Sequence, residues 1–344
     1  MSDSDGWEGD LRDTGLALKH DREWDYELDR VAEAVQERDG ATVGLQFPEG
    51  IKRRAPKVAD DLRERLPEAV TIYISGEANF GACDLDMDLM RRTDVFVHFG
   101  HSPMVESEGV IYVPLFSNVD VEPIMAEAVE HLEPGDVGLV TTAQHMNKFE
   151  AMQTFLEDRG FTVQTRRGDE RLTHEGQVLG CNYASAEVPA DQVLYVGGGG
   201  FHPSGLAMDN PEKEVIIADP VNNVVKPASA ETFIKQRYAA IHAAMDAETW
   251  GIIAGTKIGQ RRHGIAEQLA AENENAYLIT LDEITPSHLK NFGLDAYVNT
   301  ACPRITTDDG PQFDQPLLTP QEYRIAVGEE PMDALEFDTF EGTW

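Results

Sequence analysis

The chain has 344 residues, and 62 acidic against 28 basic side chains give it a formal net charge of −34. Its length suggests two or three domains at about 100–200 residues each, and a hydrophobic share of 41% is enough for substantial cores. The acidity argues against a nucleic-acid-binding protein, since phosphate contacts need clustered Lys and Arg. A membrane-spanning helix is not expected either, because no apolar run reaches the roughly 18 residues that cross a bilayer.

Apolar strands alternate with helices along the chain, in an order that repeats. The first strand, at 41–47, is followed by a helix through Val58 and Leu62. Further strands are predicted at 70–74, 94–99, 110–113, 137–140, 161–163, 193–196, 214–218, 250–254, 277–280 and 296–299. Uncharged apolar strands that alternate with helices indicate parallel α/β sheets.

We therefore predict three similar parallel-sheet α/β domains, arranged around a pseudo-threefold centre. They occupy residues 25–119, 120–222 and 223–327, each of an ordinary domain size. Residues 1–24 and 328–344 are rich in acids and are interpreted as acidic, solvated terminal segments.

The acidic residues are spread along the whole chain, which favours adaptation to high salt. Salt screens charge repulsion, and a hydrated acidic surface keeps the protein in solution. The N-terminus lacks the basic and apolar segments of a signal peptide, so a cytoplasmic protein is expected.

Each predicted domain contributes one cysteine: Cys83, Cys181 and Cys302. All three lie in predicted loops at or near strand ends, where ligands of open α/β sheets bind. If the domains pack around one centre, three thiolates there would hold a zinc ion with an open position or three irons of a [4Fe–4S] cluster. Ligation by cysteine alone favours the cluster, but widely spaced cysteines also occur as inert buried side chains.

Several short stretches resemble the archaeal diphthamide synthase family, that is, 2-(3-amino-3-carboxypropyl)histidine synthase of the subunit 2 type. They are Gln-Phe-Pro-Glu-Gly at 46–50, Gly-Gly-Phe-His-Pro at 199–203, Thr-Lys-Ile-Gly-Gln at 256–260 and Thr-Ala-Cys-Pro-Arg at 300–304. Together with one cysteine per repeat, they extend the resemblance from about residue 26 to 327. The strong acidity departs from the ordinary pattern and would fit a salt-loving archaeal member.

The resemblance implies a noncanonical radical enzyme. In this reading, Cys83, Cys181 and Cys302 hold a [4Fe–4S] cluster whose open iron accepts S-adenosyl-L-methionine. A 3-amino-3-carboxypropyl group then passes to a histidine of archaeal elongation factor 2, the first step of diphthamide synthesis. The resemblance also implies a homodimer and a separate electron donor, with no direct role for nucleic acid or membrane.

Loop position suggests which residues line the S-adenosylmethionine site. The candidates are Gln46, Glu49, Gly50, Gly199, His202, Gln260 and Arg304. Arg304 is expected to pair with the methionine carboxylate in a two-pronged contact, although a surface ion pair would explain it equally well. Glu49 has the alternative role of a helix N-terminal acid.

Three other functions fit parts of the pattern. A quinolinate-synthase-like [4Fe–4S] dehydratase would share three α/β domains and three cysteines. A non-catalytic iron–sulfur partner subunit would use the cluster only to relay electrons or stiffen a complex. An α/β binding protein with buried thiols would hold no metal at all.

Overall fold

A computed structural model describes residues 24–104 and 109–341 of the chain. The predicted acidic segment at 1–23 lies outside the described residues, whereas Trp24 forms an isolated bridge with Ser117. No helix among the described residues has the length and apolarity needed to span a membrane.

The described residues form three sheets whose strands follow one connection pattern. The first has the order β2-β1-β3-β4, with β1 Thr42–Gln46, β2 Thr71–Ile74, β3 Val95–Phe99 and β4 Val110–Val113. The second has the order β6-β5-β7-β8-β9, with β5 Asp136–Thr141, β6 Thr162–Gln164, β7 Gln192–Val196, β8 Glu214–Asp219 and β9 Val224–Pro227. The third has the order β11-β10-β12-β13, with β10 Trp250–Gly255, β11 Ala276–Leu281, β12 Ala296–Asn299 and β13 Leu317–Leu318.

Neighbouring strands in the described residues are parallel, apart from the antiparallel pair β8–β9. The α-helices are Leu28–Glu37, Ala55–Arg63, Met87–Arg92, Glu122–Ala128, Phe149–Glu157, Phe201–Asp209, Glu231–Ala244, His263–Glu272, Pro286–Lys290, Pro303–Thr307 and Pro320–Ala326. Short 3-10 turns lie at Glu49–Arg54, Val129–His131, Ala143–Lys148, Ala184–Ala186, Ile258–Gln260, Gly310–Gln312 and Met332–Ala334. The predicted α/β fold with three parallel sheets is confirmed.

The central strands are apolar because they are covered on both faces. Every residue of β3, β7 and β12 is buried. A parallel strand inside such a sheet therefore reads as a continuous apolar run, which is the pattern that predicted these strands.

Two strands were not predicted, and one of them corrects a boundary. β9 contains Lys226 and Pro227, and β13 is too short to show a period. Since β9 pairs with β8, the predicted division between residues 222 and 223 is wrong, and the second unit continues at least through Pro227.

The described part of the acidic C-terminal segment is not a solvated tail. Phe337 and Phe340 are buried, with 7% and 4% of their surface exposed. Asp338 forms a largely buried ion pair with Arg262. Burial of two aromatic rings outweighs the acidity of the segment, and the prediction of a solvated tail is wrong for residues 337–340.

Candidate metal centre

The structure brings the three cysteines to one site. Cys83 lies between β2 and the helix Met87–Arg92, Cys181 lies in the loop before β7, and Cys302 directly precedes the helix Pro303–Thr307. Each of them is largely buried. The charge of Cys181 raises the pKa of both Cys83 and Cys302, so loops from three different sheets place these sulfurs within electrostatic reach of one another.

Burial is the main reason why the thiols hold their protons. It raises the pKa of Cys83 to about 11, with the charge of Cys181 as the next cause. Burial also raises the pKa of Cys181 and of Cys302. Three thiolates therefore need a positively charged partner here, as a metal centre provides when it deprotonates its thiol ligands. Within the described ranges, no three His, Cys, Asp or Glu side chains are arranged as ligands of a single metal ion.

Two buried or part-buried arginines supply positive charge beside Cys181. Arg171 hydrogen bonds with Cys181, donates from Nη2 to the carbonyl of Gly259 at 3.1 Å, and is 2% exposed. Arg262 also lowers the pKa of the Cys181 thiol. Neither residue was predicted: Arg171 lies ten residues before Cys181 in a stretch without a recognisable motif, and Arg262 comes from the third unit.

The loop at 257–260 packs directly against Cys83. The amide of Gly259 donates to the Cys83 carbonyl at 2.9 Å, and a Cβ at Gly259 would lie only 2.3 Å from the Cys83 Cα. Gln260 Nε2 donates to Cys83 Sγ at 3.4 Å. Gln260, a predicted lining residue, therefore contacts a candidate ligand sulfur itself.

Gln46 holds the cysteine loop instead of lining an open site. Its side chain is fully buried, its Nε2 donates to the carbonyl of Asp84 at 2.9 Å, and its Oε1 lies 2.9 Å from His98 Nδ1. Because an amide oxygen only accepts, His98 donates from Nδ1, and its Nε2 accepts from His101 Nδ1 at 3.0 Å. Burial keeps His98 neutral by lowering its pKa well below the usual range. Gln46 therefore supports the loop of Cys83, and its contact with S-adenosylmethionine stays a prediction.

Glu49 and Gly50 stand beside the same loop. Glu49 is ion-paired with Lys52, remains 42% exposed, and accepts from the amide of Asn79 at 3.3 Å. A Cβ at Gly50 would meet no atom within 4 Å, so no close approach requires glycine there. The described contacts of these two residues include none with the cysteines.

Gly199 and His202 lie in the loop and first helical turn after β7. Gly199 has a left-handed φ of 78°, and its amide donates to Asp219 Oδ2 at 2.9 Å. The His202 ring stacks on Tyr195 with centroids 6.2 Å apart. Burial, and then the charge of Arg304, lower the pKa of His202 to about 3, so its imidazole is neutral.

Arg304 is a buried cation, 5% exposed. Its guanidinium lies 3.7 Å from the centroid of the Phe201 ring and pairs through Nε with Asp308 Oδ2 at 2.6 Å. Among the described residues, nothing accepts from its buried Nη1. The Arg304 side chain is only 6% exposed, so this is not a surface ion pair, and its charge opposes the effect of burial, which raises the pKa of the Cys302 thiol.

A buried lysine joins two of the three units next to Cys83. Lys257 Nζ donates to Asp84 Oδ2 at 2.5 Å and also pairs with Glu283. It stays protonated because both carboxylates face it, which raises its pKa despite burial. Its position in the Thr-Lys-Ile-Gly-Gln stretch was the only signal in the sequence.

Comparisons with known proteins point in one direction. A family profile described as "Putative diphthamide synthesis protein" matches residues 47–336. The chain is 37% identical over 308 residues to the 2-(3-amino-3-carboxypropyl)histidine synthase of Pyrococcus horikoshii, covering 87% of this chain and 88% of that protein. It is 31% identical to subunit 1 of the Mus musculus synthase, covering 88% and 72%. The crystal structure of Dph2 from Pyrococcus horikoshii with a 4Fe-4S cluster superimposes with a TM-score of 0.85 at 34% identity, over 93% of this chain and 95% of that one.

Proposed function

The chain belongs to the diphthamide synthesis protein family, and on that premise we propose that it is a 2-(3-amino-3-carboxypropyl)histidine synthase. It acts as a transferase in diphthamide biosynthesis, moving a 3-amino-3-carboxypropyl group from S-adenosylmethionine to a histidine of archaeal elongation factor 2. The resemblance inferred from the sequence motifs is confirmed at the level of the family.

The observation that carries the proposal is the convergence of Cys83, Cys181 and Cys302 from three sheets. These residues would hold a [4Fe–4S] cluster and leave one iron without a protein ligand. Three buried thiolates suit such a cluster, because they need positive charge to stay deprotonated. Arg171, Arg262 and Arg304 do not supply enough of it, since the pKa of each thiol stays above its usual value. The cluster, when bound, supplies the electron that cleaves the sulfonium.

The protein's own task is to orient the sulfonium substrate. Arg304 Nη1 is a buried donor beside Cys302, which suits the methionine carboxylate of S-adenosylmethionine. Neutral His202 and the Gly199 loop lie on the adjoining segment, joined to Arg304 through the Phe201 carbonyl at 2.8 Å. Fixing the substrate in this way selects the carbon–sulfur bond that is aimed at the open iron.

The remaining parts of the proposal concern partners. Edge strands β2 and β11 expose Tyr73, Ile74, Tyr277 and Leu278, and such apolar edges support a homodimer interface. An electron donor reduces the cluster, and the elongation factor as substrate implies activity in the cytoplasm.

The test of the function is product analysis without oxygen. The protein is reconstituted with iron and sulfide in high salt and mixed with S-adenosylmethionine and dithionite, and the nucleoside is identified by mass spectrometry. We expect methylthioadenosine, lost in Cys83→Ala, Cys181→Ala and Cys302→Ala and absent without dithionite. 5′-Deoxyadenosine would show that another bond breaks. No cleavage by an intact cluster would favour the quinolinate-synthase-like dehydratase or the non-catalytic subunit.

The role of Arg304 is tested separately by calorimetric binding of S-adenosylmethionine to the reconstituted protein. Arg304→Lys keeps a charge that can pair with Asp308 but loses the forked donor, and we expect binding about tenfold weaker, or roughly 1.4 kcal/mol. Arg159→Ala is the matched control, because Arg159 also lies over an aromatic ring, Phe155, away from the cysteines. Unchanged binding by Arg304→Lys would remove Arg304 from the substrate site.

A further inference from the structure

The chain closes over the cysteine site with residues 337–340, here called the C-terminal strap. The amide of Phe340 donates to the Cys181 carbonyl at 2.8 Å. Asn182 Nδ2 donates in return to the Phe340 carbonyl at 3.0 Å. One main-chain hydrogen bond and one from the Asn182 side chain therefore fix the Cys181 loop to a segment that is about 160 residues away along the chain.

The strap also holds the two cations beside Cys181. The guanidinium groups of Arg171 and Arg262 lie 4.1 Å and 4.7 Å from the centroid of the Phe340 ring. Cation–aromatic contacts of this kind are stronger when they are buried. Because one ring contacts both guanidinium groups and the same residue hydrogen bonds with the Cys181 backbone, both positive charges are held close to the Cys181 loop.

A paired carboxylate secures the strap to the third unit. Asp338 accepts from both terminal nitrogens of Arg262, at 2.7 Å and 2.6 Å. Arg262 Nε donates to the carbonyl of Thr300 at 2.7 Å, two residues before Cys302. One segment thus links the loop of Cys181 to the loop of Cys302.

We propose that the C-terminal strap is a positioning element of the iron–sulfur site, with Phe340 as its central residue. This inference rests on the proposed function. By fixing Cys181 and holding Arg171 and Arg262 next to its sulfur, the strap slows release of iron. It also raises the reduction potential of the cluster, because nearby positive charge stabilises the more negative reduced state.

The test compares reconstituted wild-type protein with Phe340→Ala and Asp338→Asn. Iron and sulfide per chain, the rate of iron transfer to a ferrous chelator and the midpoint potential are measured without oxygen. Phe155→Ala is the matched control, since it removes another ring under an arginine, at a surface away from the cysteines. Thermal unfolding of every apo-protein reports whether a variant is folded.

In Phe340→Ala we expect iron release to be about tenfold faster, the order of effect found when groups that orient metal ligands are removed. We also expect a more negative midpoint potential. Asp338→Asn should also speed iron release, by less; because it removes the negative charge that pairs with Arg262, its midpoint potential should not become more negative. Phe155→Ala should change neither quantity. Wild-type rates and potentials in both strap variants would overturn the inference. If Phe340→Ala does not fold, Asp338→Asn decides by itself. A wild-type chain that takes up no cluster would overturn the proposed function as well as the strap.

Discussion

At the scale of single residues, the cysteine site depends on one close backbone approach. The Gly259 amide donates to the Cys83 carbonyl, and the space that a side chain would need is already filled by the Cys83 Cα and Cβ, each 2.3 Å from an added Cβ. Since main-chain atoms cannot move aside as a flexible side chain does, only glycine lets the third unit reach the first at this point.

We therefore expect Gly259→Ala to displace Cys83 and to lower stability by about 1–3 kcal/mol. Iron bound after reconstitution should fall clearly below that of the wild type, and urea unfolding of the apo-protein measures the stability. The matched control is Gly264→Ala, in the helix His263–Glu272, where an added Cβ meets nothing within 4 Å. The control should be neutral or slightly stabilising. Equal behaviour of the two variants would contradict this account.

At the scale of elements, the loops at strand ends hold the units together through buried charge. Lys257 lies in the loop after β10 and pairs with two carboxylates. One is Asp84, in the loop before the helix Met87–Arg92, and the other is Glu283, which follows β11. Inside the third unit, the pair Arg237–Glu322 joins two helices, with both side chains nearly inaccessible. Each such pair is costly to desolvate and becomes more costly when one partner is lost.

Lys257→Met should destabilise the folded chain by about 3–5 kcal/mol, because Asp84 is left buried without its cation. Adding Asp84→Asn should recover part of the loss. Lys290→Met provides the control: its partner Asp314 and Lys290 are both exposed, so the change should stay below about 1 kcal/mol. Urea unfolding of the apo-proteins gives the values. If Lys257→Met lowers the free energy of unfolding no more than the control does, the buried pair does not stabilise the packing of the units.

At the scale of the whole molecule, the net charge of −34 dominates the behaviour in solution. Repulsion among surface carboxylates acts over a Debye length of about 10 Å at 0.1 M salt and about 3 Å at 1 M. We propose that the chain is adapted to high salt, as its acidity indicates, and that its fold is most stable when this repulsion is screened.

We expect the melting temperature to rise by about 10 °C between 0.1 M and 2 M KCl. Screening should relieve a few kcal/mol of repulsion, and each kcal/mol shifts the melting temperature by about 2–4 °C. Calorimetry of the apo-protein measures the shift, and equimolar sucrose controls for general solute effects. A melting temperature that stays level or falls with KCl would contradict salt adaptation.

The sequence was sufficient to predict most of the strands, and it singled out the three cysteines as candidate ligands, which stays a prediction. Strands such as β3 and β7 are apolar except for His98 and Gln192, so their pattern alone identifies them, and the repeated order of strands and helices indicates three parallel sheets. The cysteine positions follow from that order, because loops at strand ends gather at one edge of each sheet. Short strands such as β13 carry too few residues to show a period.

Only the tertiary structure decided which other side chains meet the cysteines. Arg262 and Phe340 are brought to the loop of Cys181 from distant parts of the chain, and the acidic composition of residues 328–344 gave no sign of two buried rings, Phe337 and Phe340. Gln46 stands in a motif that suggested ligand contact, yet its amide is used up by Asp84 and His98. Local sequence encodes periodicity and turn chemistry. The partner of a buried polar group depends instead on how three separate sheets pack, and this packing is determined by contacts between residues far apart in sequence.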